Sequence, residues 1–146
     1  MTLPDLNEYG DLPVGVHQAT LTELLKRFGS GTEQRRNVGR RLTMIHRFAN
    51  GTGCLDRMVV FGSFITSKPE PRDVDVVLIM KDDFQLEHCR EHLRELFDHT
   101  TAESIFGASV FWIRPSLLIL QSLDDFIAGW QQKRGGGRRG IVEVTQ

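Results

Sequence analysis

Five consecutive apolar residues, Val76-Val77-Leu78-Ile79-Met80, follow directly on Asp73-Val74-Asp75. A half-solvated strand or a surface helix would break such a run with polar residues, whereas a strand covered on both faces does not. The segment from Asp73 to Met80 therefore reads as a central strand with packed layers above and below it. A second run, Met58-Val59-Val60-Phe61, is too short for a free-standing helix and makes Leu55 to Phe61 another strand. It runs straight into Gly62-Ser63. The following Lys68-Pro69-Glu70-Pro71 is a rigid loop, because its two prolines bar both helix and central strand. The two strands are either antiparallel or joined by a short helix starting at Ser63.

The flanking elements have their own signals. Thr20-Leu21-Thr22-Glu23 has capping-box spacing, and Leu21, Leu24, Leu25 and Phe28 then recur at helical intervals up to Gly29. Thr32 caps a second helix running to about Asn50, with Val38, Leu42, Ile45 and Phe48 inward and arginines over much of the rest. Asp83 is expected to cap a helix from about Phe84 to His99, whose stripe is Leu86, Cys89, Leu93, Leu96 and Phe97. His88 and His92 would share a face of it. Such a pair can bind a metal, but no Glu follows His88 as in a metal-binding HExxH helix, and a metal role is not expected. Gly107 to Ile113 reads as a strand, Ser122 to Trp130 as a helix, Gly135-Gly136-Gly137 as a turn, and Ile141 to Val144 as a final strand. Residues 1–19, with Pro4 and Pro13, read as an extended arm without helix. The expected class is α+β, a short mixed β-sheet flanked by helices. One domain spans residues 1–146, with 131–146 as a C-terminal turn and strand.

At 146 residues one domain is the natural count. No stretch approaches the ~18 apolar residues of a membrane span, and Met1-Thr2-Leu3-Pro4-Asp5 lacks a signal-peptide pattern. A cytoplasmic location without membrane contact is expected. Cys54 and Cys89 form neither a CxxC pair nor a zinc spacing and read as plain thiols. The net charge of -1 points to no partner, so only local clusters count. Arg35, Arg36, Arg40 and Arg41 gather early, and Lys133, Arg134, Arg138 and Arg139 late. Either group can meet phosphates, though a solvated helix face and a solvated hairpin are the ordinary readings.

Chemistry concentrates between Val59 and Val77. A strand entering Gly62-Ser63 lets an anion approach the backbone closely, since glycine has no Cβ. A helix starting at Ser63 would add free N–H groups and a favourable dipole, and the Ser63 hydroxyl a further donor. An ordinary tight turn would have the same sequence. Asp73 and Asp75 are two apart on a strand, so they share a face with Cα atoms roughly 6.5–7 Å apart. Two carboxylates opening a buried strand repel one another unless a cation joins them. Magnesium suits such a pair together with substrate phosphates. The eleven-residue step from Gly62 to Asp73 allows the chain to return with both aspartates beside the glycine turn. Lys68, between the halves, could reach a phosphate, and Arg72 could neutralise the pair. Trp112 and Trp130 read as core rather than as stacking platforms, and Glu143 as solvent-facing.

The pattern apolar strand, Gly62-Ser63, a gap of about ten residues, then Asp73-Val74-Asp75 among apolar residues, resembles the DNA polymerase beta-type nucleotidyltransferase superfamily. In size it is similar to the minimal nucleotidyltransferases. Gly62-Ser63-Phe64, Lys68, Pro71, Asp73-Val74-Asp75 and Gly140-Ile141-Val142-Glu143, with the Leu12-Pro13 to His17 opening, resemble a small bacterial family within it. The resemblance implies the nucleotidyltransferase fold, with Gly62 and Ser63 on the nucleotide phosphates and Mg²⁺ on Asp73 and Asp75. It implies Mg²⁺-dependent transfer of a nucleoside monophosphate from a nucleoside triphosphate to an RNA or protein hydroxyl, as in toxin–antitoxin or defence pairs.

One position departs from that superfamily. Its third carboxylate lies on a later strand, and the matching place here is Ser109, with Glu103 the nearest upstream acid. Serine is a poor metal ligand and no base near neutral pH. A catalytically degenerate module with a regulatory or antitoxin-like role is therefore the alternative. A third possibility is an RNA-binding domain using the two basic clusters.

Overall fold

In the computed structural model, which describes residues 3–145, one residue ends a strand and starts a helix. Thr20 closes β1 (Val16–Thr20) and caps α1 (Leu21–Phe28). Its hydroxyl accepts from the Glu23 N–H at 3.1 Å, and the Glu23 carboxylate accepts from the Thr20 N–H at 3.4 Å. The Gly29 N–H returns to the Leu25 carbonyl at 2.8 Å and ends α1. Thr32 caps α2 (Glu33–Gly51), accepting from the Arg35 N–H at 3.1 Å. The expected caps thus sit where the sequence places them. The extended arm does not remain an arm: its end is β1, an edge strand with Ala19 its one buried residue, so no alternation betrays it. Met1, Thr2 and Gln146, at the ends of the expected arm and final strand, lie outside the described residues.

The remaining strands are β2 (Leu55–Phe61), β3 (Val74–Met80), β4 (Ala108–Ile113) and β5 (Ile141–Thr145). They form a five-stranded mixed sheet of order β1-β5-β2-β3-β4. β2 runs antiparallel to β3 and β5, while β1 with β5 and β3 with β4 are parallel pairs. β2 and β3 are therefore antiparallel, and only one 3-10 turn, Ser63–Ile65, lies between them. The class is α+β with helices on the sheet. Val76 through Met80 are each 0% exposed, as their unbroken apolar run requires.

Alternation along β3 sends Val74, Val76, Leu78 and Met80 into a core shared with α1, α2 and α4 (His99–Phe106). Val77 and Ile79 face the other way, into a smaller cluster with Ile127 of α5 (Leu123–Gly129) and Ile141. Asp73 and Asp75 keep the parity of Val77 and Ile79, so they belong to the α5 face.

The expected helix from Phe84 to His99 is broken. A 3-10 turn spans Leu86–His88, Cys89 and Arg90 are extended, α3 covers only Glu91–Arg94, and a second 3-10 turn spans Glu95–Phe97. Asp83 caps no helix. Asp98 acts instead, accepting from the Thr101 N–H at 3.0 Å to start α4. The reason is in the spacing: 86, 89, 93 and 96 fit three-residue turns as well as a continuous helix, and an internal Asp prefers capping to helix interior. His88 and His92 fall on separate elements and share no face. His92 instead meets the Phe48 ring edge-on at 5.9 Å.

Candidate functional site

β-Pairing assembles the site. Asp75 lies opposite Phe61 in the antiparallel pair and opposite Ser109 in the parallel one. Phe61 is followed by Gly62, whose φ of 84° belongs to the left-handed region. A Cβ on Gly62 would collide with the Asp75 Oδ2 and stand 2.9 Å from its Cγ. The carboxylate therefore occupies space that only glycine leaves free. The expected meeting of Gly62 and Asp75 is present.

Burial pushes the Asp75 carboxyl up to about 6, and the neighbouring Asp73 charge adds to the rise. A hydrogen bond from Ser109, with the charges of Arg134 and Arg139, acts in the opposite direction. Ser109 thus stands at the sheet position opposite Asp75 and supplies a hydroxyl, not a carboxylate. Glu103 does not replace it. It is exposed on α4, whose Ala102 and Phe106 pack on the opposite sheet face, and its nearest basic group is His99 Nε2 at 3.8 Å.

Ser63 opens a single 3-10 turn that no side chain caps, so a long helix dipole is absent here. Phe64 and Ile65 of that turn are buried and pin it to the sheet. Lys68 is exposed and has no ion-pair partner among the described residues. Arg72 makes no ion pair with Asp73 or Asp75 among those residues; only its carbonyl is engaged.

The early arginine cluster is not one solvated face. Arg35 is 8% exposed. Its Nη1 donates to the Phe28 and Phe64 carbonyls at 3.0 and 2.8 Å, and its Nη2 to Thr66 at 2.7 Å and also to Lys68. Gln34 donates to Pro71 at 2.8 Å and Arg41 to Arg72 at 3.2 Å. One side of α2 thereby holds the whole loop between Gly62 and Asp73 by its main chain. Burial lowers the Arg35 pKa, with the guanidinium still charged at neutral pH. The sequence signal for this role was a loop with two prolines and no apolar residue after Ile65, which must be held by something else.

Two further groups border the carboxylates. Trp130 packs on Phe61 at 4.7 Å and on Phe111 at 5.0 Å, making a partly exposed aromatic wall. Its role is packing, as expected, but on the site's own face. Trp112 points to the other core, donating its indole N–H to the Phe97 carbonyl at 3.0 Å. The late basic cluster is anchored by Asp11, 5% exposed, which pairs with Lys133 at 2.9 Å and Arg139 at 3.5 Å. Glu143 does not face solvent freely. The register of Val59 with Glu143 brings it to Arg57, whose Nε donates at 3.2 Å.

Two carboxylates, with hard oxygen donors and an elevated charge cost at Asp75, fit a magnesium ion completed by waters or phosphates. No group of three or more His, Cys, Asp or Glu that could hold a metal occurs among the described residues. Hollows of about 420 Å³ beside Leu3, Glu23, Lys26 and Arg27, and of about 260 Å³ along Gly29, Arg36, Gly39 and Arg40, lie in the α1–α2 layer, not over the carboxylates. They converge no acid with a glycine turn, whereas Asp75 meets Gly62 on the α5 face. Among the described residues no helix is long and apolar enough to cross a membrane. No curated protein and no solved structure matches the chain. A family model does match, over residues 4–145, and by that match the chain belongs to the family of unknown function DUF6932.

Proposed function

We propose that this protein has the nucleotidyltransferase fold and binds a nucleoside triphosphate with Mg²⁺, for transfer of the nucleoside monophosphate to an RNA or protein hydroxyl. The observation that carries this reading is the contact of Asp75 with Gly62, with Asp73 on the same face. It juxtaposes a carboxylate with the main chain of the glycine turn. Asp73 and Asp75 would hold the ion, Gly62 and Ser63 the phosphates, and Lys68 is free to swing toward them. Bound there, the ion supplies neutralisation of carboxylate and phosphate charge. In the transfer the acceptor oxygen bonds to the α-phosphorus, the bond to the β-phosphate oxygen breaks, and pyrophosphate leaves. The acceptor proton passes to solvent, because the register places Ser109 and not a carboxylate opposite Asp75 among the described residues.

That last point favours a second reading. Ser109, opposite Asp75, makes a nucleotide-binding module without transfer chemistry equally compatible with the site. The experiment is nucleotide binding and label transfer with each of the four α-labelled nucleoside triphosphates, using cell extract as acceptor. Mg²⁺-dependent binding and labelling, both lost in Asp75→Asn, support transfer. Binding without labelling selects the binding module. An absence of Mg²⁺-dependent binding removes both.

A further inference from the structure

The hairpin from Gln131 to Gly140 carries four basic residues on a frame with three glycines at its tip. Gln132 and Arg138 form an antiparallel bridge, the Arg139 N–H donates to the Gln131 carbonyl at 2.9 Å, and the Lys133 N–H to the Gly137 carbonyl at 3.0 Å. Gly135, Gly136 and Gly137 have φ of 82°, 107° and 82°, and a Cβ on any of them would meet open space. Glycine is thus required by the turn's conformation and not by crowding.

The four charges divide into two pairs. Lys133 and Arg139 are consumed by the buried Asp11 at 2.9 and 3.5 Å. Arg134 and Arg138 are exposed and have no ion-pair partner among the described residues. The Asp11 bridge is a positioning device, tying the hairpin to the N-terminal segment. A second tie is the Gln131 side chain, which accepts from the Gly15 N–H at 2.6 Å.

The hairpin's location gives those two arginines a purpose. Trp130, the residue before its first arm, stacks on Phe61, the β-partner of Asp75, and on Phe111, two residues beyond Ser109. Ile141, just after its second arm, joins the cluster of Val77 on the Asp75 face. Both ends of the hairpin are therefore fastened beside the carboxylates. The influence of Arg134 and Arg139 on the Asp75 carboxyl agrees with this placement.

We infer that the hairpin is an anion subsite in which Arg134 and Arg138 grip the terminal phosphates of a polyphosphate. The inference rests on the proposed nucleotide reading for its ligand, but its residues are separate from the carboxylates. Guanidinium groups suit phosphate oxygens through paired N–H donors. Glycines at the tip carry no side chain that would shield the two guanidiniums from the anion.

The test is calorimetric titration of the full chain with inorganic tripolyphosphate, with and without MgCl₂. It compares wild type, Arg134→Ala/Arg138→Ala, Asp75→Asn and the charge-matched control Arg36→Ala/Arg40→Ala. The expected result is a loss of at least about tenfold in affinity for the hairpin variant and less than about twofold for the control. Equal losses in the two arginine pairs, no loss in either, or no binding by wild type overturns the inference. Single-stranded RNA binding that the hairpin variant weakens, without tripolyphosphate binding, also overturns it and assigns the surface to a nucleic-acid backbone. Binding lost in the hairpin variant but indifferent to Mg²⁺ and to Asp75→Asn upholds the subsite and sinks the metal-nucleotide reading. Mg²⁺-dependent binding lost only in Asp75→Asn does the reverse.

Discussion

The Asp75 carboxylate stands where the β-carbon of residue 62 would be if that residue were not glycine. Gly62→Ala therefore meets two costs at once. A φ of 84° costs an L-residue about 1–2 kcal/mol, and displacing the carboxylate adds an overpacking term of about 1–3 kcal/mol. Urea unfolding should show a loss of roughly 2–5 kcal/mol. In Asp75→Ala as background the second cost vanishes, so the double mutant should be more stable than additivity predicts by about 1 kcal/mol or more. Strict additivity would mean that the two residues do not touch.

Burial and Asp73 hold the folded Asp75 carboxyl at about 6, above the ordinary range of an aspartate. A raised carboxyl favours the folded state while protonated. That contribution is fully present below about 4 and is lost as pH rises through about 6. Asp75→Asn should therefore be more stable than wild type at pH 7.5 without metal, by about 1–3 kcal/mol after allowance for solvent screening. The difference should shrink toward pH 4. Thermal scans across that range check the sign, and MgCl₂ at pH 7.5 should stabilise wild type and leave Asp75→Asn unmoved.

Ser109→Asp places a third carboxylate opposite Asp75 in the parallel register. Without metal it should lower the melting temperature and move the Asp75 titration upward, since like charges within one face repel. With MgCl₂ the order should invert, the variant gaining more stabilisation than wild type. A variant destabilised equally with and without the ion would show that this position faces no shared cation.

Arg35→Ala removes the donor from four carbonyls, three of them in buried hydrogen bonds. A cost of about 3–5 kcal/mol is expected. Arg35→Lys should recover little, because an ammonium cannot span the fork. Arg36→Ala and Arg40→Ala, on the exposed side of α2, should stay within about 0.5 kcal/mol of wild type. Denaturant melts of the four variants separate the scaffold arginine from the solvated ones.

Local rules carried far in this chain where one signal acted alone. The caps at Thr20 and Thr32, the buried run of β3 and the arrival of Asp75 beside Gly62 are all legible because each follows from a spacing or an unbroken apolar run. Ser109, singled out in the sequence through the family resemblance and not through spacing, pairs with Asp75 in the parallel register. β1 was hidden because an edge strand with a single buried residue has no alternation to read. The break between Phe84 and His99 was hidden because 3-10 and α spacings coincide there, and a tertiary cluster of Phe84, Phe97 and Trp112 decides between them. The buried positions of Arg35 and Asp11 come from partners 29 to 33 and 122 to 128 residues away, which no local window contains.

The grip of α2 on residues 64–72 is made to peptide oxygens, not to side chains. Every amino acid offers the same oxygen. The outward groups of Lys68 and Glu70 can therefore be exchanged without loosening the support of the aspartates that follow. Scaffold and selectivity are thus uncoupled at this loop: relatives can diversify what the site greets while inheriting unchanged the means of holding it in place.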